Sequence, residues 1–185
     1  MKSLDGMTNE ELWQLFPIIL SEYQDSWRED YKAESKNLES YIGVNNIVRI
    51  NHIGSTAVPG LLAKPTIDIL VEINNNSNLG ELVRSMESAG YIYSPQPNNP
   101  APHMMFMKGY TPEGFKPPVF HIHVRYPGDW DEIYFRDYLR LHPEAVKEYG
   151  ELKLRLKEKF EHDRDGYTAA KTGFIIRIVN LAKHK

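Results

Sequence analysis

One segment restricts the possible folds of this chain more than any other. It is the run Thr66-Ile-Asp-Ile-Leu-Val-Glu-Ile73. A short apolar run rich in β-branched residues is typical of a strand inside a sheet. Asp68 lies in this run, where a strand that forms only core rarely carries a carboxylate. Such a charge must be exposed, paired or bound to a metal. Asp68 is therefore the first candidate catalytic residue, although a half-exposed strand with a solvated aspartate is the alternative.

The other patterns predict an α+β fold, with helices flanking a mixed sheet of about four or five strands. Strands are predicted at 46–53, 66–73, 91–93, 104–109 and 119–125, the last two joined by a hairpin connection at 110–114. Helices are predicted at 8–17, 21–41 and 79–89 and from residue 129 onwards, with Pro143 beginning one helix and Thr168 capping the last. We expect one domain with an N-terminal helical segment (1–42), a sheet core (43–128) and C-terminal helices (129–185), the terminal helices packing on the sheet.

Composition restricts the partners and the surroundings of the protein. The chain of 185 residues has 41% hydrophobic and 25% charged residues, no cysteine and a formal net charge of −3. These values are ordinary for a globular protein and disfavour an extended nucleic-acid surface, although a local basic pocket for phosphates is compatible with them. With no apolar run suited to a signal peptide or a membrane span, we expect a cytoplasmic protein without membrane contact.

Gly54, Ser55 and Thr56 directly follow the strand predicted at 46–53. A glycine at a strand end lets a ligand approach the backbone closely, and free N–H groups at a helix start suit a phosphate. Gly-Ser pairs are also ordinary turn residues. Because this pair lies just before the Asp68 strand, we interpret the turn as a candidate phosphate-binding segment.

His121 and His123 alternate with apolar residues, so both imidazoles are predicted on one face of a strand. Two such histidines can bind a metal or, when protonated, a phosphate. The alternative is a polar strand face whose imidazoles are satisfied by neighbouring groups. Arg125 shares this face and offers a donor fork for phosphate.

Further cations are candidates for the same pocket. Lys64 precedes the Asp68 strand, and Arg136 and Lys171 lie on the predicted C-terminal helices. Most lysines and arginines in loops and helices are simply solvated. We interpret the remaining C-terminal cations, including Lys153, in this way. The chain contains neither a P-loop nor a dinucleotide-binding glycine motif.

Four motifs together are similar to those of one known family: His52-Ile-Gly-Ser-Thr-Ala-Val-Pro-Gly60, Lys64-Pro-Thr-Ile-Asp68, His121-Ile-His123 and Phe135-Arg-Asp-Tyr-Leu-Arg140. They resemble the GrpB family, and the similarity runs from about residue 23 to the last helix. The resemblance implies a nucleotidyltransferase-superfamily fold with a Gly-Ser turn beside an acidic strand. Members of that superfamily typically transfer a nucleoside monophosphate from a nucleoside triphosphate, using two metal ions, usually magnesium, held by carboxylates.

The chain departs from the superfamily pattern, which has two acidic residues separated by one residue. Thr66 and Leu70 occupy those positions around Asp68, and His121 or His123 takes the position expected of a third carboxylate. One aspartate with histidines is a poor magnesium site and a fair site for zinc, manganese or nickel.

The leading hypothesis is a nucleotidyltransferase-like enzyme that uses a nucleoside triphosphate, a divalent metal (magnesium or manganese, with zinc as a further candidate) and a small-molecule acceptor. Asp68 with His121 or His123 holds the metal, and Gly54, Ser55 and Thr56 hold the triphosphate. Lys64, Arg125 and Arg136 neutralise the pyrophosphate that leaves. The alternatives are a nucleotide-binding or regulatory module without catalysis and a metal-dependent phosphoesterase.

Overall fold

The strand β2 (Thr66–Ile73) is paired on both sides, which agrees with its continuous apolar sequence. The computed structural model, which describes residues 3–184, places it antiparallel to β1 (Ile47–Ile53) and parallel to β5 (Gly114–Arg125). The strands β4 (His103–Thr111) and β3 (Ile92–Pro95) continue the sheet in antiparallel fashion. The order is β1-β2-β5-β4-β3, so the predicted mixed sheet is confirmed.

The described residues also form six α-helices: α1 (Asn9–Leu15), α2 (Ser26–Ile42), α3 (Leu79–Ser88), α4 (Asp131–Leu141), α5 (Pro143–Phe160) and α6 (Arg164–Lys183). The helices α2 and α3 pack on the face that carries Ile67, Ile69 and Val71. The helices α4, α5 and α6 form a second core with the segment after β1, in which Phe135 and Phe174 are buried. The predicted α+β fold is confirmed.

Several predicted boundaries change for identifiable reasons. The helix α2 begins at Ser26 instead of residue 21, because the backbone of Ser21 pairs with that of Ala63 in an isolated β-bridge. The hairpin is longer than predicted, since β4 runs to Thr111 and β5 begins at Gly114. The prediction that Thr168 caps the last helix is wrong. Asp163 caps α6 by accepting a hydrogen bond of 2.8 Å from the Gly166 N–H.

Two helix starts follow the sequence signals that predicted them. Thr8 and Glu11 form a reciprocal capping box before α1, and Pro143 occupies the first turn of α5. Among the residues that the structure describes, no helix has the length and apolar character needed to cross a bilayer.

Candidate metal and phosphate site

The parallel pairing of β2 and β5 brings one carboxylate and two imidazoles together. Asp68 lies beside His121 in the register, and His123 follows two residues later on the same face. Asp68 Oδ1 is 3.4 Å from His121 Nδ1 and 3.3 Å from His123 Nε2. Ligand atoms around a single zinc-like ion lie about 3.0–3.4 Å apart when each metal–ligand bond is about 2.1 Å. Both separations from Asp68 fit this range, and the ligand atoms of all three residues lie within 4.8 Å of one another. The cluster is therefore a candidate three-ligand metal site.

The pKa values of Asp68 and His121 are shifted by their surroundings. Burial raises the pKa of the Asp68 carboxyl, but hydrogen bonds from His121 and His123 and the charges of both rings outweigh it, so the pKa lies well below its usual range. Burial lowers the pKa of His121, although Asp68 opposes this shift. An ionised carboxylate binds a metal directly, whereas a protonated imidazole must first release its proton, so metal binding at this cluster should weaken as pH falls.

Tyr110 and Arg164 hold the outer side of the His121 ring. The Tyr110 hydroxyl lies 2.6 Å from His121 Nε2, and the two rings stack with an interplanar angle of 11°. Arg164 Nη2 lies 3.4 Å from both the Tyr110 oxygen and His121 Nε2. Such contacts orient a ligating imidazole, because a metal at Nδ1 requires the proton on Nε2, where Tyr110 can accept it.

The turn after β1 lies against the Asp68 carboxylate. Gly54 has a φ of +70°, and a Cβ at this position would lie 2.5 Å from Asp68 Oδ2. Ser55–Ala57 is a single 3-10 turn, so no longer helix begins here. Ser55 Oγ accepts a hydrogen bond of 3.2 Å from Lys153 Nζ, which also donates to the Leu62 carbonyl.

Three lysines lie near the Gly-Ser turn and Asp68. Lys153 is only 2% exposed, and its Nζ lies 4.5 Å from the centre of the Tyr149 ring. Lys171 and Lys64 lie 4.6 and 5.9 Å from the centre of the Tyr167 ring. Such a concentration of cations, with Arg164 beside it, is electrostatically suited to an anion.

Burial and mutual repulsion disfavour the charged forms of these lysines. Burial, followed by repulsion from Lys171 and Lys64, lowers the pKa of Lys153 to about 6. Burial, followed by repulsion from Arg164 and Lys171, lowers the pKa of Lys64 to about 7. Burial lowers the pKa of Lys171 to about 8, and Asp68 opposes this shift. A bound phosphate would relieve the repulsion and restore the charged forms.

The structure assigns different contacts to the other predicted phosphate ligands. Arg125 Nη1 donates to the carbonyls of Met104 at 3.1 Å and Val124 at 2.9 Å. Arg136 Nη1 donates to the His52 carbonyl at 3.0 Å and so joins α4 to β1. None of these described contacts involves the Asp68 cluster.

Thr56 has a local structural role. Its hydroxyl donates to the Thr66 carbonyl at 3.2 Å and lies 3.0 Å from His52 Nε2. The predicted residues that the structure gathers around Asp68 are therefore Gly54, Ser55, Lys64, His121, His123 and Lys171.

Sequence reasoning treated Lys153 as solvated and did not single out Tyr110 or Arg164. A signal for Lys153 existed, because it follows Tyr149 by one helical turn on the apolar side of α5. Tyr110 was assigned to the hairpin connection, and only the longer strand β4 places it beside His121.

Fold and site together define an α+β protein with a candidate metal centre beside a Gly-Ser turn and a cluster of lysines. The family model described as "GrpB protein" matches residues 17–181. The chain therefore belongs to the GrpB family.

Individual relatives agree with this family. The chain is 34% identical to the glutamate-rich protein GrpB of Alkalihalophilus pseudofirmus, over 88% of this chain and 94% of that protein. It is 35% identical to a UPF0157 protein of Pseudomonas aeruginosa, over 85% of this chain but only 64% of that longer protein. The crystal structure of the conserved protein GrpB from Enterococcus faecalis is similar with a TM-score of 0.76 and 31% identity, covering 89% of this chain and 96% of that one.

Proposed function

We propose that this protein is a metal-dependent nucleotidyltransferase-like enzyme that transfers a nucleoside monophosphate from a nucleoside triphosphate to a small-molecule acceptor. One observation carries the proposal: a candidate three-ligand metal cluster lies beside a group of buried or half-buried lysines. Lys153 contacts the adjacent Ser55, and the Asp68 charge acts on Lys64 and Lys171. A metal nucleotide needs both parts, because its phosphates carry several negative charges and its ion needs protein ligands. The reaction type itself comes from the resemblance to the nucleotidyltransferase superfamily.

Asp68, His121 and His123 would hold the ion. When bound, the divalent ion would stabilise the charge that develops on the α-phosphate. One carboxylate with two imidazoles favours manganese or zinc over magnesium. The second carboxylate of a two-metal site is replaced by Leu70, which is fully buried, so the proposal uses a single ion.

The remaining residues would bind and orient the phosphates. Gly54 lets the turn lie against the Asp68 carboxylate, and the next residue, Ser55, offers a hydroxyl that Lys153 already positions. Lys64 and Lys171 would neutralise the pyrophosphate as the bond between it and the α-phosphorus breaks. The hydroxyl oxygen of the acceptor forms the new bond to phosphorus.

The test is a titration of each of the four nucleoside triphosphates by calorimetry, with manganese, zinc, magnesium or EDTA. Wild type is compared with Asp68→Asn and with the control Glu148→Gln, which changes an exposed carboxylate paired with Arg177. We expect metal-dependent binding that Asp68→Asn abolishes and Glu148→Gln retains, followed by pyrophosphate release when an acceptor mixture is added. Full transfer activity in Asp68→Asn would refute the assignment.

The replacement of the second carboxylate by Leu70 favours one other candidate, a nucleotide-binding module without catalysis. In that case a nucleoside triphosphate would bind with equal affinity in manganese and in EDTA. It would also bind equally to wild type and Asp68→Asn, and no pyrophosphate would appear with any acceptor.

A further inference from the structure

A second cavity lies beside the edge strand β1, where α2 approaches the junction of α4 and α5. Its volume is about 670 Å³, within the range of small-molecule sites. His52 lines this cavity and pairs with Ile69 in the sheet, whereas Asp68 pairs with Ile53. Because neighbouring residues of a strand point to opposite faces, His52 and Asp68 lie on opposite faces of the sheet. The cavity is therefore separate from the metal and lysine pocket, although residues 52–56 border both.

The charged residues that line the cavity are cations. Arg28, Lys32 and Arg140 contribute to its wall, and no acidic residue does so within the described part of the chain. Arg28 makes no ion pair with any described residue, and Lys32 pairs with the exposed Glu29 at 2.8 Å. These cations give the mouth of the cavity a positive potential.

Arg140 is anchored by one hydrogen bond, and its other N–H donors remain available to a ligand. Its Nε donates to the Ala57 carbonyl at 2.9 Å, and its Nη1 lies 3.9 Å from Asp137 Oδ1, beyond hydrogen-bond distance. Burial and repulsion from Arg136 lower the pKa of the guanidinium, Asp137 opposes them, and Arg28 adds a smaller repulsion. A guanidinium fixed through one nitrogen can present its other two to an anion as a fork.

The interior of the cavity is aromatic and apolar. Tyr31 stacks on His52 with a centroid distance of 4.7 Å and an interplanar angle of 13°. Burial lowers the pKa of His52 to about 4, so the ring is neutral at pH 7 and adds no charge to the wall. Leu139, Pro143 and Val146 complete this side. A flat apolar group would be well accommodated here.

We infer that this cavity is a second ligand site for a small molecule that combines an aromatic body with an anionic head group. Arg140 binds the head group as a fork and Arg28 adds charge at the mouth, while Tyr31 and Leu139 contact the body. The inference does not depend on the proposed function of the Asp68 pocket.

The test uses phenyl phosphate as the probe, in EDTA and without nucleotide, followed by calorimetry and by NMR of the His52 ring signals. We expect binding that shifts those signals, with at least tenfold weaker binding for inorganic phosphate and for phenol. Arg140→Gln should weaken phenyl phosphate binding at least tenfold. The control Arg177→Gln, which removes an exposed arginine of α6, should leave it unchanged.

Further variants separate the two pockets. Lys171→Met changes a lysine near Asp68 and should leave phenyl phosphate binding in the His52 cavity unchanged. Arg28→Gln should weaken that binding. Because Arg28 is exposed, this variant remains informative even if Arg140→Gln folds poorly. The inference is overturned if phenyl phosphate does not shift the His52 signals of wild type, or if inorganic phosphate shifts them with equal affinity. It is equally overturned if Lys171→Met weakens binding while the Arg28 and Arg140 variants do not.

Discussion

Gly54 and Asp68 are fitted to each other, since a Cβ on residue 54 would lie 2.5 Å from Asp68 Oδ2. The backbone of Gly54, with φ +70° and ψ −171°, also lies in a region that is essentially restricted to glycine. The turn after β1 can therefore approach the carboxylate only because residue 54 has no side chain. This contact connects the stability of the turn to the geometry of the metal cluster.

Gly54→Ala should destabilise the protein by about 1–3 kcal/mol from backbone strain alone, with a further cost from the clash. The measurement is the free energy of unfolding in urea, together with the affinity for manganese. The matched control is Gly173→Ala in α6, where an added Cβ meets nothing within 4 Å. That change should stabilise the protein by up to about 1 kcal/mol. Equal stability of the two variants would contradict the proposed fit.

His123→Ala should reduce zinc or manganese affinity by at least about 100-fold, because it removes one of three ligands and leaves Asp68 and His121 alone. Competition with a chromophoric chelator measures this loss. His162→Ala serves as the control, since His162 is exposed and contacts the Trp13 carbonyl instead of the cluster. Identical metal affinity in the two variants would rule out this cluster as the metal site.

Tyr110→Phe should keep the ring stacked on His121 but remove the hydroxyl that lies 2.6 Å from Nε2. Loss of such an orienting contact costs about 10–100-fold in metal affinity. The control Tyr134→Phe removes a hydroxyl that interacts with Asp129 at the surface. A purely structural role for the Tyr110 hydroxyl would lower the unfolding free energy and leave the metal affinity unchanged.

Stability should depend on pH through the buried and half-buried lysines, and most strongly through Lys153. Its pKa falls from 10.5 to about 6 in the folded protein, mainly through burial, so the unfolded chain binds more protons between these values. The free energy of unfolding should therefore rise as pH increases from about 6 towards 10, by up to about 1.4 kcal/mol per pH unit. Urea unfolding at several pH values measures this slope.

Lys153→Met should reduce that slope but leave the contributions of Lys64 and Lys171, whose pKa values also fall, to about 7 and 8. It should raise stability most at pH 6 and below, because the variant has no buried charge to accommodate at residue 153. Lys157→Met, one turn later on α5 and less buried, is the control and should keep the wild-type slope. A wild-type slope in Lys153→Met would show that the ammonium is solvated in the folded protein.

Local patterns were sufficient for the strand β2 and for part of the site. A run of β-branched and apolar residues specifies an interior strand because such side chains pack well on a pleated surface. Alternation alone placed His121 and His123 on one face, and the isolated carboxylate of Asp68 marked its strand as unusual. These features depend on neighbours within a few residues, which the sequence displays directly.

Only the tertiary structure decided which of these groups meet. The contact between Asp68 and the histidines depends on the parallel register of β2 and β5, which pairs residues more than 50 positions apart. Lys153 and Arg136 are both helix cations, yet packing buries the first beside Ser55 and directs the second to the β1 backbone. The sequence shows the charge of each side chain, but the orientation of each helix against the sheet determines what that charge contacts.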